Sequence, residues 1–190
     1  MELYSILKML HVLSATAWVG GGLVGTALGL MAARSRTDEA LLDTIAQLEW
    51  SARRVFVPAS FATLAFGLGM TWLGGLWLDA WVLVGLGGIA AVIALGAGVL
   101  GPRIERILAL RAAGQSGDAV RLARQVLLAA SFDGTILVLV VVDMVLKPAL
   151  GDWPILAGMG GVAIVAALVL MPRALRAPIP SSHSIQEQIS

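Results

Sequence analysis

Long apolar stretches alternate with short polar ones along this chain. Five of the stretches approach or exceed the roughly 20 mostly apolar residues that a helix needs to cross a bilayer core. They are Ile6–Ala32, Val55–Leu76, Trp81–Gly101, Val126–Leu146 and Pro154–Pro172. The pattern predicts an all-α fold, a polytopic transmembrane bundle of five spans in one domain over residues 1–176. Proline placement agrees: Pro58 falls in the first predicted turn of span two, where a missing N–H is harmless, and Pro154 opens span five. Pro102, Pro148 and Pro172 stand at or just past the ends of spans three, four and five.

Two polar connections keep a helical period. Residues 38–54 carry Leu41, Ile45, Leu48 and Ala52 on one face. This predicts an amphipathic helix on the membrane surface or leading into span two. Residues 103–124 place Ile104, Ile107 and Leu108 together, followed by the turn signal Gly114-Gln115-Ser116-Gly117. Asp118 is then expected to cap the next helix, so that spans three and four form one long hairpin. Residues 177–190, rich in proline and serine, read as a disordered tail, and His183 there carries no assigned role. No internal repeat emerges, which disfavours a transporter of two inverted halves.

Composition sharpens the class. The chain is 58% hydrophobic and 13% charged, against roughly 45–50% and 25% for soluble domains. With a mean hydropathy of +0.90, this excludes a soluble enzyme or a disordered chain. A net charge of +1 gives no nucleic-acid signal. There is no cysteine, hence no disulfide, zinc–thiolate or iron–sulfur site.

The thirteen basic residues divide unevenly. Arg34, Arg36, Arg53, Arg54, Arg103, Arg106, Arg111, Arg121, Arg124, Arg173 and Arg176 fall on one side of the predicted bilayer, and only Lys8 and Lys147 on the other. The positive-inside rule then makes the arginine-rich side cytoplasmic, with the N-terminus outside and the C-terminus inside. Ala15-Thr16-Ala17 resembles a signal-peptide cleavage site. The long apolar run and the absence of a basic start favour a retained span.

Ionisable groups inside a span are functional candidates by default. Span one carries Lys8 and His11; span four carries Asp133 and Asp143, with Lys147 at its end. At about 1.5 Å per residue, His11 lies roughly 8 Å and Asp143 about 5–6 Å below the same outer boundary. If their faces meet, His11 pairs with Asp143. Lys8, His11 and Trp18 share a face with Gly22, Gly25 and Gly29, so a polar head and an indole adjoin a glycine groove. Small-residue ridges (Gly21, Gly25, Gly29; Gly67, Thr71, Gly75; Ala90, Ala94, Gly98) predict packing within the bundle. A dimer face or a flat cofactor is the sharper alternative. Trp72, Trp77, Trp81 and Trp153 read as an aromatic belt. Asp133 has Ser131 and Thr135 close by as candidate hydrogen-bond partners. A proton path between Asp143 and Asp133 would span about 15 Å of one helix with no continuous polar chain.

Leu7-Lys8-Met9-Leu10-His11 followed by Ala17-Trp18-Val19-Gly20-Gly21 resembles the Lys-x-x-His…Trp-x-Gly-Gly opening of the copper-resistance protein D and HemJ-type protoporphyrinogen oxidase superfamily. Asp143-x-x-x-Lys147-Pro148 and the overall length are most similar to the bacterial integral membrane family called domain of unknown function 2269. The resemblance implies haem b or copper at an outer-leaflet site around His11, with Lys8, Trp18 and Lys147 nearby, for redox or metal handling. One intramembrane histidine leaves any second ligand to a methionine (Met9, Met70 or Met144), a lysine or a partner's histidine. The alternative expectation is a non-catalytic membrane subunit or assembly partner, without cofactor, in a homodimer or with another membrane protein.

Overall fold

The computed structural model describes residues 2–35 and 37–175. It contains five long helices: α1 (Glu2–Ala32), α2 (Asp38–Gly74), α3 (Ala80–Ala112), α4 (Ser116–Leu146) and α5 (Trp153–Ala174). All five are long and apolar enough to span a membrane, and the described residues contain no strand. The predicted tail with His183 lies outside the described residues, as do Arg36 and Arg176.

α2 has 37 residues and α3 has 33. At about 1.5 Å per residue these are roughly 55 and 50 Å long, well beyond a hydrocarbon core of about 30 Å. The surplus is residues 38–54 and 103–112, which continue the spans: 38–54 leads into span two and does not lie flat, and 103–112 forms, with the start of α4, the long hairpin expected. Gly114, at φ +75°, reverses the chain between α3 and α4. Gln115 N–H reaches Leu110 O at 2.9 Å and Gly114 N–H reaches Arg111 O at 3.0 Å, closing α3 with a Schellman motif. Helix α4 then starts at Ser116, and Asp118 pairs with Arg121 instead of capping.

Pro58 and Pro102 lie inside continuous helices, not at helix ends. A proline removes one helical hydrogen bond and crowds the preceding turn. Directly before each, the helix widens into a π turn, at Ala52–Phe56 and Gly96–Leu100. Prolines and π turns are both sites where helices bend, and here the two coincide twice. A third π turn, Thr16–Gly20, has no proline after it.

Packing is uneven along the bundle. At the arginine-rich end, Leu41, Leu42 and Ile45 of α2 form a core with Ile107 of α3 and Ala119, Val120, Ala123 and Leu127 of α4. In the middle, Trp18 is buried among Ile89, Val92 and Leu137, flanked by Phe56, Leu64 and Val140. Toward the lysine end the helices group as two pairs, Glu2–Ala15 on Val57–Gly74 and Ala80–Leu95 on α4. Helix α5 packs chiefly on α4 and keeps much of its apolar surface exposed. The glycine ridge of α1 is filled from within the chain. Gly21 faces Phe56, Gly25 faces Leu48 and Gly29 faces Leu127. This is intrachain packing, and it leaves no slot there for a flat cofactor.

Candidate functional site

The lysine end gathers most of the polar intramembrane groups. His11, on α1, is half-buried against α2. Its Nδ1 lies 2.8 Å from the carbonyl oxygen of Thr63. A carbonyl only accepts, so Nδ1 carries the proton and donates it. In the neutral ring the lone pair is then on Nε2. Ser14 and Thr63 extend the seam, their hydroxyl oxygens 3.1 Å apart. Each also reaches a carbonyl of its own helix at 2.8 Å, Leu10 O for Ser14 and Ala59 O for Thr63.

The approach of His11 to α2 depends on Gly67. A Cβ at that position would stand 3.0 Å from the imidazole Cε1 and 3.1 Å from Nδ1. Gly67→Ala is therefore expected to push the ring away and weaken the bond to Thr63 O. The expected loss of stability is about 0.5–1.5 kcal/mol, that of one hydrogen bond. The His11 Nδ1–H resonance of ¹⁵N-labelled protein should move with it; an unchanged resonance would refute the steric account.

Asp143 sits across the α3–α4 seam, fully buried, with neither carboxyl oxygen hydrogen-bonded. Its Oδ2 faces Gly85, where a Cβ would come within 3.3 Å. The expected His11–Asp143 pair does not form. His11 is turned onto α2, and Asp143 onto α3.

Nor does Lys147 neutralise Asp143 one turn away. Helix α4 stops at Leu146, and Lys147 adopts a left-handed conformation with φ +48°. Its N–H closes the helix on Asp143 O at 2.8 Å, and Pro148 is buried behind it. The ammonium is thereby carried over the Trp81 ring, 4.9 Å from the centroid, as a cation–π contact. Lys8 is exposed.

Asp133, deeper in α4, also has a buried oxygen (Oδ1) without a partner. The hydroxyls expected to satisfy it are used otherwise: Ser131 donates to Leu127 O and Thr135 to Ser131 O. Trp18, two turns below His11, is 9% exposed and enclosed by this chain's own apolar side chains. It is a core residue here, not the wall of an open groove. Trp72 and Trp153 are broadly exposed at the lysine end, as an aromatic belt requires.

Among the described residues no three His, Cys, Asp or Glu side chains converge on one point. Met9 is 54% exposed, and the Met144 side chain lies beside Gly85. A lateral cleft of about 390 Å3 opens between α3, α4 and α5. It is lined by apolar residues such as Val84, Gly88, Val140 and Met159 and excludes His11 and both aspartates.

A family model described as "Predicted integral membrane protein (DUF2269)" matches residues 5–148. The chain belongs to that family. The match takes in α1 to α4 almost entirely, with His11, Asp133, Asp143, Lys147 and Pro148, and ends before α5. The family description states membrane residence and no activity. No curated protein and no solved structure matches the chain.

Sequence reasoning missed Ser14, Thr63 and Gly85, and read Gly67 as a packing position without His11 as its occupant. A signal for Thr63 was present: with Gly67 and Thr71 it repeats at i,i+4, a small and polar stripe suited to receive a side chain from a neighbouring helix.

Proposed function

We propose that this chain is a redox or metal-handling protein of a bacterial inner membrane, with the N-terminus outside and His11 as the ligand of haem b. The observation that carries the reading is the Nδ1–H bond to Thr63 O. Such a bond fixes the tautomer, orients the ring and raises the basicity of the other nitrogen, as it does for metal-bound histidines. His11 would hold the haem through Nε2, and the group would supply one-electron transfer. A second ligand would come from the His11 of a second copy or from a methionine or lysine. Copper fits less well, because the described residues build no cluster of three ligands within one chain.

A second reading, a cofactor-free membrane subunit or assembly partner, is favoured by α5. That helix lies beyond the family match and leaves Val162, Ile164, Val165 and Leu168 exposed.

Protein purified from cells supplied with haem precursor and copper decides between the two. A Soret band at stoichiometric haem, reduced at least about tenfold in His11→Ala, is the expected result. A colourless, copper-free wild-type protein that co-purifies with another membrane protein would overturn the haem reading in favour of the second.

A further inference from the structure

The arginine-rich end holds a group that the reading above does not use. Arg53 and Arg54 are neighbours within the π turn Ala52–Phe56, yet their side chains go to different places. Arg53 bridges Glu49 and Glu105, the latter at 2.9 Å. Arg54 turns back onto the ring of Trp50, with its Cζ 5.0 Å from the ring centroid. Trp50 itself is 55% exposed.

Five acids of this end are already engaged, and Asp38, at the far end of α2, is not paired with Arg54. Glu39 and Asp43 pair with Arg111 at 2.8 and 2.6 Å, Asp118 pairs with Arg121, and Glu49 and Glu105 hold Arg53. Among the described residues none of these five pairs with Arg54. Among the described residues its charge is met by the Trp50 ring alone, which leaves several guanidinium N–H donors for an anion.

The same helix face presents Gln47 and Ser51 beside Trp50. Together with Ala46 they line a shallow concavity of about 480 Å3. Two more polar side chains thus stand one and two turns from Arg54. Val55 begins the apolar run of α2, so the cluster sits where the helix enters the hydrocarbon. A tryptophan at that level is suited to the interface, with its ring among headgroups.

We propose that Trp50, Arg54, Gln47 and Ser51 form a binding site for the phosphate of an anionic phospholipid. Arg54 supplies the charge and a forked pair of donors. Gln47 and Ser51 supply neutral donors, and Trp50 holds the guanidinium and packs against the lipid's glycerol backbone. Successive positions on a helix point about 100° apart, so one arginine goes to the α2–α3 ion pair and the other to the lipid.

The test uses the full-length protein reconstituted in nanodiscs, with retained lipid counted by native mass spectrometry. Discs contain phosphatidylglycerol and phosphatidylcholine in equal parts. Wild type is expected to retain phosphatidylglycerol in preference. Arg54→Gln is expected to reduce that preference about fivefold, the effect of one basic residue at a membrane surface. Arg53→Gln, which breaks an ion pair instead, should leave it unchanged. Equal losses in the two variants would reveal diffuse charge attraction and overturn the site, as would an intact preference in Arg54→Gln. Displacement of the lipid by millimolar inorganic phosphate would identify a soluble-anion site and overturn the lipid assignment. Trp50→Leu gives an independent check, with a preference lowered while the ion pairs, and hence the fold, are untouched.

Discussion

Leu42→Ala is expected to destabilise the bundle by about 2–5 kcal/mol, the range for a large-to-small change in a closed core. Leu42 is 0% exposed and lies in the cluster at the arginine-rich end, with Leu41, Ile45, Ile107, Ala119 and Ala123. The large effect follows from where that cluster sits. It is built from the parts of α2, α3 and α4 that exceed a bilayer core in length and carry the arginine–carboxylate pairs. Apolar burial there is driven by water, as in a soluble domain. Within the spans lipid tails are as apolar as leucine, and that drive is absent. Leu168→Ala is the control, since Leu168 is 71% exposed on α5 and its truncation should stay within about 0.5 kcal/mol. Unfolding in mixed micelles, followed by loss of helicity, reads both. Equal losses would show that the arginine-rich end is not a core.

The five helices were legible because each apolar run is long and bounded by charge or proline. What the prolines did was not. Pro58 and Pro102 were expected to start and stop helices, because the rule assumes α geometry on both sides. The helices run on past both prolines, so 38–54 and 103–112 extend the spans, as the reading of 38–54 leading into span two and of a span three–four hairpin expected; the π turns before the prolines were not foreseen. The polar residues were legible by depth and helical phase. Their partners were not, since partners depend on which helices cross and how closely. His11 meets α2 because Gly67 makes room for its ring. Asp143 and Lys147 have the i,i+4 spacing of an ion pair. That spacing is an argument only on a continuous helix, and Lys147 has already left it in a left-handed conformation. The glycine ridge of α1 was legible as a packing surface, whereas Phe56, Leu48 and Leu127 as its occupants were not.

Asp143→Leu is expected to stabilise the folded bundle, by about 1–3 kcal/mol, the penalty of a buried polar group without a partner. Leucine branches at Cγ as aspartate does, so two methyl groups replace the two unbonded oxygens in nearly the same positions. The site is apolar apart from the carboxyl: Gly85 and Met144 adjoin it, and the nearest cation on the same helix, Lys147, is held over Trp81. Replacing an unsatisfied buried group with an apolar one of similar shape removes a penalty without opening a cavity. Natural proteins keep such groups where function needs them, and accept lower stability there. The informative measurement is therefore double: micellar unfolding of Asp143→Leu, and haem retention by the same protein. Higher stability with lower haem content would assign Asp143 to the working of the lysine end. Higher stability with unchanged haem content would separate it from His11 altogether. A loss of stability would show that the carboxyl is hydrogen-bonded in the membrane and would overturn the account of it as an orphan.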